Sequence, residues 1–521
     1  DEITEASATE RTQATNLVNK YKGAHSSFED KGYQILALNG ELTINGNTMV
    51  GVGLQGHSNN GRNPMILHTG TTIINGNKNA VFAYPNDGDS ANRLYITTNY
   101  GTGKIEINGN NNFVMLAEKN YSKHVHNFEN SGIIDIKTGN NNIGFFGKQG
   151  INNGYLDLQK PITISSTGTE NIGVYQTNGS NNKLNENSVI KVDISAGSKN
   201  VGYVGDYSSQ IINTNVYNIT GGTSNIGVIS NNALILNGLT LNISGGDTNF
   251  GLVNKVGTLS SNGVINISGG NDNIGIANQS TGAVTHTGNI ILSPSGTNNI
   301  GVYGETTAST TITGEIQVNG EKNKAVYGKN SHTISVNNIT ANTIDSVVVY
   351  GESGAKITVN DLNVVSKIRD NPTEADKNDT GAAFAKGTGT IITIDRGSLP
   401  GEANINITGS KLTDADRYIG FGLMAADGGV INAKKNHIKV TNGSTAAASI
   451  GTNSNIDLSG GTIEFNGSGY AVYSDGVGKI DLSGSKMILK GKSTAFDLNL
   501  TPGVVSPIKL DSNSRIHVAS N

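Results

Sequence analysis

Apolar and polar residues alternate with a period of two in short segments along most of the chain. In Ile265–Gly270, the two isoleucines fall on one side of the segment, while Asn266 and Ser268 fall on the other. This is the pattern of a half-buried β-strand. A pair such as Gly269-Gly270 then ends the segment, because glycine adopts positive φ at little cost. The pattern therefore predicts many short strands separated by tight turns.

A longer repeat joins these segments in pairs, each with one alternating segment, a turn, and then Asn-Ile-Gly-Val or a close variant. Two copies are Tyr217–Val228 (YNITGGTSNIGV) and Ile265–Ala277 (INISGGNDNIGIA). The asparagine before the second segment recurs every 24–29 residues, at Asn142, Asn171, Asn200, Asn225, Asn249, Asn273, Asn299 and Asn323. Such variable spacing suits a solenoid whose corners differ in length, and no sustained heptad pattern indicates a coiled coil.

Stacking these coils about 4.8 Å apart would pair every strand with the strands above and below it and bury one narrow core. The sequence therefore predicts an all-β, right-handed parallel β-helix (a β-solenoid) of about sixteen to eighteen coils of 24–30 residues. A propeller blade needs about 40–50 residues, nearly twice this period. Side chains of one phase lie above one another in a solenoid, so we expect ladders of the recurring asparagines and of Tyr303, Tyr327 and Tyr350.

Several segments fall outside the repeat. Residues 1–30 are polar and weakly helical, which predicts a short, partly helical N-terminal cap or lead-in, with the β-helix spanning 31–521. Loop insertions are predicted near 53–64, 118–130, 366–380 and 396–417, where the repeat is interrupted. Because Arg515–Ala519 has a strand pattern, we expect the solenoid to continue beyond the last residue.

The insertions are the candidate binding surface, since packing constrains the coils themselves. Lys367–Thr380 (KIRDNPTEADKNDT) is the most charged stretch of the chain and lies one or two coils from Arg396–Arg417. We expect the two to form one polar protrusion; the alternative for each is a plain solvated loop. The predicted binding residues are Arg369, Asp370, Glu374, Asp376, Asp379, Asp414, Asp416 and Arg417.

Composition narrows the function classes. The 521 residues include 69 glycines, no cysteine and no tryptophan, and only 15% are charged. The net charge of −4, without a basic stripe, gives no indication of nucleic-acid binding. No apolar run approaches the roughly 18 residues that cross a bilayer. A chain without cysteine is common in bacteria, and it is also typical of proteins exported unfolded.

Catalytic and metal-binding patterns are weak. Enzymes with this fold need clustered Asp, Arg or Lys in a groove, with paired carboxylates as acid and base. In this chain the outward strand positions are instead occupied by residues such as Asn218 and Asn242. These asparagines also match the N-glycosylation pattern, but we interpret them as ordinary strand residues. His124 and His126 would share one strand face, but no third metal ligand is apparent, and a surface pair is the preferred interpretation. We therefore predict no enzymatic activity, no cofactor and no metal.

The repeats resemble the passenger domains of type V autotransporters, most of all the large fusobacterial outer-membrane adhesins of the arginine-inhibitable or galactose-sensitive type. The likeness rests on Asn298–Gly304 (NNIGVYG), Gly469–Tyr473 (GYAVY), the Ile-x-Ile-Ser-Gly-Gly strands and the cysteine-free composition, and covers roughly residues 40–521. It implies an adhesin at the bacterial cell surface that attaches to a host-cell receptor or glycan, or to a surface protein of another bacterium. It also implies a monomer anchored to the outer membrane through a C-terminal β-barrel absent from this sequence.

Two other functions stay open at this point. One is a carbohydrate-active β-helix enzyme of the polysaccharide lyase or hydrolase type, which would depolymerise a polysaccharide. The other is a toxin-like passenger, which would be released by proteolysis and damage host cells. The resemblance brings no binding residues with it, because none of the repeats matches a known ligand-binding motif.

Overall fold

The computed structural model describes residues 8–22, 33–53, 63–84, 93–117, 124–147, 154–177, 184–207, 209–373, 380–396, 402–413, 418–500 and 505–519. The chain divides into two compact units, Asp1–Gly263 and Val264–Asn521. In each unit, parallel strands from successive coils pair in two sheets, so each unit is a parallel β-helix, as predicted. Sheet 2 receives one strand from each coil, and sheet 1 receives the remaining strands.

The first unit begins with a helix, Ala8–Lys22. Its described part of sheet 2 has eight strands: Val50–Gly53, Ala80–Tyr84, Phe113–Ala117, Ile143–Gly147, Ile172–Gln176, Val201–Gly205, Ile226–Ser230 and Phe250–Asn254. Sheet 1 contains Tyr33–Leu38, Glu41–Ile44, Asn63–His68, Thr71–Asn75, Arg93–Asn99, Lys104–Asn108, His124–Asn130, Ile133–Ile136, Leu156–Leu158, Ile162–Ile164, Val189–Ile194, Gln210–Ile212, Thr214–Ile219, Leu234–Ile243 and Leu259–Ile267, the last of which extends past Gly263.

In the second unit, the described part of sheet 2 has nine strands: Ile274–Asn278, Ile300–Gly304, Lys324–Gly328, Val347–Glu352, Gly381–Lys386, Phe421–Ala426, Thr445–Ile450, Tyr470–Ser474 and Thr494–Leu498. Sheet 1 contains Gly270–Asn271, Val284–His286, Asn289–Leu292, Gly296–Thr297, Ser309–Glu321, Thr333–Ile344, Lys356–Lys367, Ile391–Ile394, Ile405–Thr408, Val430–Asn432, His437–Thr441, Asn455–Asp457, Thr462–Asn466, Lys479–Asp481, Lys486–Lys490, Ile508–Lys509 and Arg515–Val518. Outside both sheets, Ser410–Lys411 pairs antiparallel with Tyr418–Ile419. The described strands of sheet 2 thus mark seventeen coils, within the predicted range.

The asparagine of each Asn-Ile-Gly-Val phrase is buried at the corner before sheet 2, and its side chain links successive coils. In the first unit, Asn142 N donates to Asn171 Oδ1 at 2.9 Å, and the same bond recurs along Asn79, Asn112, Asn142, Asn171, Asn200, Asn225 and Asn249. In the second unit it joins Asn273, Asn299 and Asn323. The predicted asparagine ladder is therefore confirmed within each unit.

The residue before each of these asparagines adopts the left-handed conformation. Its φ lies between 55° and 62°, although none of these residues is a glycine: Lys78, Asn111, Asn141, Glu170, Lys199, Ser224, Thr248, Asp272, Asn298 and Lys322. A side chain at positive φ is unfavourable by about 1–2 kcal/mol per residue. The asparagine hydrogen bonds compensate for that strain and hold each corner in the same short turn.

The glycine of the Asn-Ile-Gly-Val phrase lies where the two sheets approach each other. A Cβ added to Gly173 would lie 2.6 Å from Val192 Cγ1 and 2.7 Å from the carbonyl oxygen of Gly202. Gly144 is equally confined by Ile162. Packing of the β-helix therefore explains why glycine recurs in this phrase, and no binding role is needed for it.

The helix Ala8–Lys22, which lies within the predicted N-terminal segment, packs along the side of sheet 1. Ala14 and Leu17 contact an apolar patch formed by Met65, Leu94, Ile96 and Val125. Lys20 Nζ lies 2.6 Å from Glu129 Oε2 and 2.5 Å from Asp157 Oδ2. The helix thereby covers side chains that strands of sheet 1 would otherwise expose. Among the described residues, no helix is long and apolar enough to span a bilayer.

The segment near 118–130 differs from the prediction. Residues 124–130 form a strand of sheet 1 rather than a loop. His126 is buried, and its ring stacks on Tyr95 with the ring centroids 4.5 Å apart. The interpretation of His126 as a surface histidine is therefore wrong, because the strand turns this side chain toward the core. Residues 54–62 and 118–123 of the predicted insertions lie outside the described residues.

Candidate ligand-binding groove

The two charged insertions predicted to form one protrusion meet at their bases. The backbone N–H and the hydroxyl of Thr413 both donate to the carbonyl oxygen of Pro372, each at 3.1 Å. Ile368, Leu412 and Ile419 form a small apolar cluster beside these bonds. The structure thus joins the ends of two segments that the sequence places one or two coils apart.

Of the eight predicted binding residues, the structure describes Arg369 and Asp370. The Arg369 backbone N–H donates to Asp345 Oδ1 at 3.0 Å, and its guanidinium pairs with the other carboxylate oxygen. Arg369 Nη2 is also 3.4 Å from Glu321 Oε1. Because the Asp345 side chain is only 1% exposed, Arg369 compensates a buried negative charge. Asp345 lies at the corner just after the last asparagine of the ladder. Asp370 is exposed, and the other six lie outside the described residues: Glu374, Asp376, Asp379, Asp414, Asp416 and Arg417.

A short hairpin emerges from the second insertion. Its strands are Ser410–Lys411 and Tyr418–Ile419, with a glycine at each end. Gly409 N donates to a carbonyl oxygen of the next coil at 2.8 Å, and Gly420 O accepts from a backbone N–H of that coil at 2.8 Å. Gly420 has a φ of 101°, and a Cβ on Gly409 would lie 2.3 Å from two carbonyl oxygens. Glycines therefore allow the hairpin to leave and rejoin the coils at close range.

Beside the hairpin, the outer face of sheet 2 forms a groove with a volume of about 740 Å³. The hairpin supplies one wall, and four successive strands from Phe421–Ala426 to Thr494–Leu498 supply the floor. We call this feature the hairpin groove. It is lined by Lys411, Tyr418, Ile419, Met424, Ser444, Thr445, Ala448, Ile450, Ser468, Gly469, Tyr470, Tyr473, Lys492 and Asp497.

Two columns of outward side chains build the floor of the hairpin groove. The register of the parallel strands stacks Met424, Ala448, Tyr473 and Asp497 in one column. It stacks Phe421, Thr445, Tyr470 and Thr494 in the other. The small side chains of Ala448 and Thr445 sit between larger neighbours, and this difference in size creates the hollow.

The first column continues away from the groove as a row of aromatic rings, Phe384, Tyr350, Tyr327 and Tyr303, and Phe384 also contacts the ring of Phe421 in the second column. The ring centroids are 5.1–6.0 Å apart and meet edge to face. The predicted tyrosine ladder is thus confirmed, and two phenylalanines extend it. Tyr327 and Tyr350 both donate to Glu352, at 2.5 and 3.1 Å. Burial, together with Glu352, raises the pKa of Tyr350 to about 12. These hydroxyls are already engaged, whereas the hydroxyls of Tyr470 and Tyr473 have no hydrogen-bond partner within the described residues.

Three side chains of the hairpin groove, Tyr470, Tyr473 and Lys492, are available to a ligand. Tyr470 is 42% exposed. Burial and the nearby Asp475 and Asp497 carboxylates raise the pKa of Tyr473, so its hydroxyl stays protonated at neutral pH and can donate a hydrogen bond. Lys492 is exposed and has no ion-pair partner among the described residues. The groove therefore offers aromatic surface, hydroxyl groups and charge in one concave site.

The sequence does not point to Tyr470, Tyr473 or Lys492, because Gly469–Tyr473 looks like one more copy of the repeat. One signal was present: tyrosines occupy outward positions in a coil that closely follows a charged insertion. The depth of the groove depends on small residues of one coil aligning between larger residues of the two neighbouring coils, and that alignment follows from strand register.

Comparison with known proteins identifies no relative: no protein-family model, no curated protein and no solved structure matches this chain. Within the described ranges, no group of three or more His, Asp or Glu side chains could hold a metal ion. A functional assignment therefore depends on the chemistry of the groove itself.

Proposed function

We propose that this chain is an attachment module of a bacterial surface adhesin and that the hairpin groove is part of its ligand-contacting surface. The observation that supports the proposal is the position of the groove. It brings tyrosines and charged side chains together on the outer face of sheet 2, beside an insertion. A rigid scaffold that positions binding residues on an inserted segment is a common arrangement in binding proteins.

The lining of the groove suits reversible binding. Tyrosine supplies a large contact area, has few rotatable bonds to immobilise, and carries a hydroxyl that can direct a ligand. The volume of about 740 Å³ falls within the roughly 300–1,000 Å³ typical of ligand pockets. Removing Tyr470 from such a site should therefore weaken binding strongly while leaving the core intact.

The resemblance of the repeats to autotransporter passenger domains supports the same proposal. It leads us to propose display outside the cell and two classes of partner. One class is a host-cell receptor or glycan, and the other is a surface protein of another bacterium. Attachment through a groove of this size needs no chemical change in the ligand, so we propose a binding role without catalysis.

Cell binding tests the proposal directly. The fluorescently labelled chain is titrated onto panels of bacterial and host cells, and bound label is measured by flow cytometry. We expect saturable binding to at least one cell type, with at least tenfold weaker binding by Tyr470→Ser. Tyr100→Ser is the matched control, because Tyr100 is a partly exposed tyrosine of the first unit. If Tyr470→Ser binds every responsive cell type as well as the unaltered chain, the groove is not the attachment site.

A further inference from the structure

We propose that the hairpin groove takes a carboxylated saccharide, so that attachment is directed to acidic glycans. This inference rests on the proposed function and names the ligand class for the same groove. Three features of the groove support it: the pairing of its backbone, the surfaces of its tyrosines and the exposed ammonium group of Lys492.

The backbone of three of the four floor strands is paired on both sides. Thr445–Ile450 pairs with Phe421–Ala426 on one side and with Tyr470–Ser474 on the other. An extended peptide that binds a sheet gains its affinity from free main-chain groups at a sheet edge. Three of the floor strands present no such edge, and the strands of the wall hairpin are only two residues long. Thr494–Leu498 pairs with Tyr470–Ser474 alone among the described strands, so its free edge lies at one end of the floor. Recognition across the face of the floor must therefore come from side chains, which favours a saccharide over an extended peptide.

The side chains combine flat apolar surface with polar ends. Tyr470 and Tyr473 lie in neighbouring columns of one strand, with Met424 and Ala448 beside them in the floor. A sugar ring presents C–H groups on its faces and hydroxyls around its edge. The aromatic rings match the faces, while the tyrosine hydroxyls match the edge.

The ammonium group of Lys492 favours a carboxylate on that sugar. Asp497 is the one carboxylate of the described lining, and Asp475 also lies near Tyr473. Lys492 has no ion-pair partner in the described part of the chain, so a ligand carboxylate can pair with it. The groove is open to water, and attraction between exposed charges is screened beyond about 8 Å at physiological ionic strength. Binding of an acidic saccharide should therefore weaken as salt is added.

Paired probes test the role of the carboxylate. Sialyllactose is compared with lactose, and trigalacturonate with its methyl ester, by calorimetry at low and high salt. We expect the carboxylated member of at least one pair to bind at least tenfold more tightly than its neutral partner, with a smaller difference at high salt. The two pairs also distinguish a sialic acid from a uronic acid as the source of the carboxylate.

Substitutions then connect the preference to the groove. Lys492→Ala should remove most of the preference for the carboxylated probe, and Lys492→Arg should keep it. Asp497→Asn should strengthen binding of the acidic probe, because it removes a like charge. Lys439→Ala is the control, since Lys439 is an exposed lysine on sheet 1 of the same unit.

The outcomes separate the ligand class from the proposed function. Equal binding of neutral and carboxylated probes would overturn the acidic preference. If no saccharide binds while cell attachment still depends on Tyr470, the ligand class is wrong and the attachment role stands. If neither cells nor saccharides respond to Tyr470→Ser, both proposals are wrong.

Discussion

The buried asparagine ladder gives a quantitative test of how successive coils are held together. Asn171 is 0% exposed. Its Oδ1 accepts from Asn142 N at 2.9 Å and from Asn142 Nδ2 at 3.0 Å. Its Nδ2 donates to Gly139 O and to Asn200 Oδ1, both at 3.1 Å. The variant Asn171→Ala therefore deprives the buried Asn142 N–H of its acceptor and removes three further hydrogen bonds.

We expect Asn171→Ala to lower the free energy of unfolding by about 3 kcal/mol. A buried donor without an acceptor costs about 1–3 kcal/mol, and an ordinary lost hydrogen bond costs about 1 kcal/mol. Some partners retain other bonds, which limits the total. Gly139 O still accepts from Ser166 Oγ at 3.1 Å, and Asn200 Oδ1 still accepts from the backbone N–H of residue 171 at 2.9 Å.

Asn45→Ala is the matched control, because Asn45 is exposed and accepts one hydrogen bond from Asn75 at 3.0 Å. Water can replace that bond, so the expected cost is below about 1 kcal/mol. Urea unfolding followed by circular dichroism compares the two variants, and hydrogen exchange at the Asn142 amide reports local opening. Equal destabilisation by both variants, or unchanged exchange at Asn142, would refute this account of the ladder.

Four further predictions concern strain, packing, pH and the first insertion. Glu170→Gly should raise the free energy of unfolding in urea by about 1 kcal/mol, because Glu170 is exposed and has a φ of 62°. A lower free energy of unfolding would show that Glu170 is not strained at this φ. Gly381→Ala should destabilise by about 1–3 kcal/mol, since the new Cβ would lie 2.1 Å from the buried Phe421 ring, and an unchanged urea midpoint would contradict this. Burial lowers the pKa of His286 to about 4. The stabilisation that neutral His286 contributes to the free energy of unfolding should therefore be complete above pH 6.5. It should decrease by about 1.4 kcal/mol per pH unit as the pH falls from 6.5 toward 4, and His286→Gln should not show this decrease. Replacing 373–379 by a Gly-Asn turn, which keeps Arg369, should leave the circular dichroism spectrum unchanged, and cell binding would fall only if that insertion contacts the ligand.

Sequence periodicity reveals the fold because each coil repeats the same local requirements. In Asn273-Ile274-Gly275, the asparagine forms the ladder, the isoleucine faces outward and the glycine allows close approach of the sheets. Each requirement is local and returns once per coil, so it leaves a visible period. The strand around His126 lacks this signal. The helix covers the outer face of neighbouring strands through Leu94 and Ile96, so both faces of this region are buried and the usual alternation of apolar and polar residues is lost.

The candidate site was harder to predict because it depends on three coils at once. The tyrosines are visible in the sequence, but the hollow between Met424 and Tyr473 requires Ala448 to align with both. The wall requires the hairpin at Tyr418–Ile419 to fold back beside these strands. The charged pattern that suggested Arg369 as a binding residue is equally consistent with its observed pairing to Asp345. Charge alone does not distinguish a ligand contact from an internal ion pair.

The asparagine ladder also bears on where insertions occur in the connections between sheet 1 and sheet 2. Among the described strands, the connection from sheet 1 into sheet 2 is short in every coil that carries a ladder asparagine, as between Ile219 and Ile226. It lengthens only after Asn323, between Lys367 and Gly381 and between Thr408 and Phe421. Foreign epitopes grafted into this corner should therefore be tolerated in the later coils and rejected in the earlier ones. Variation between strains at this corner should be concentrated in the same later coils.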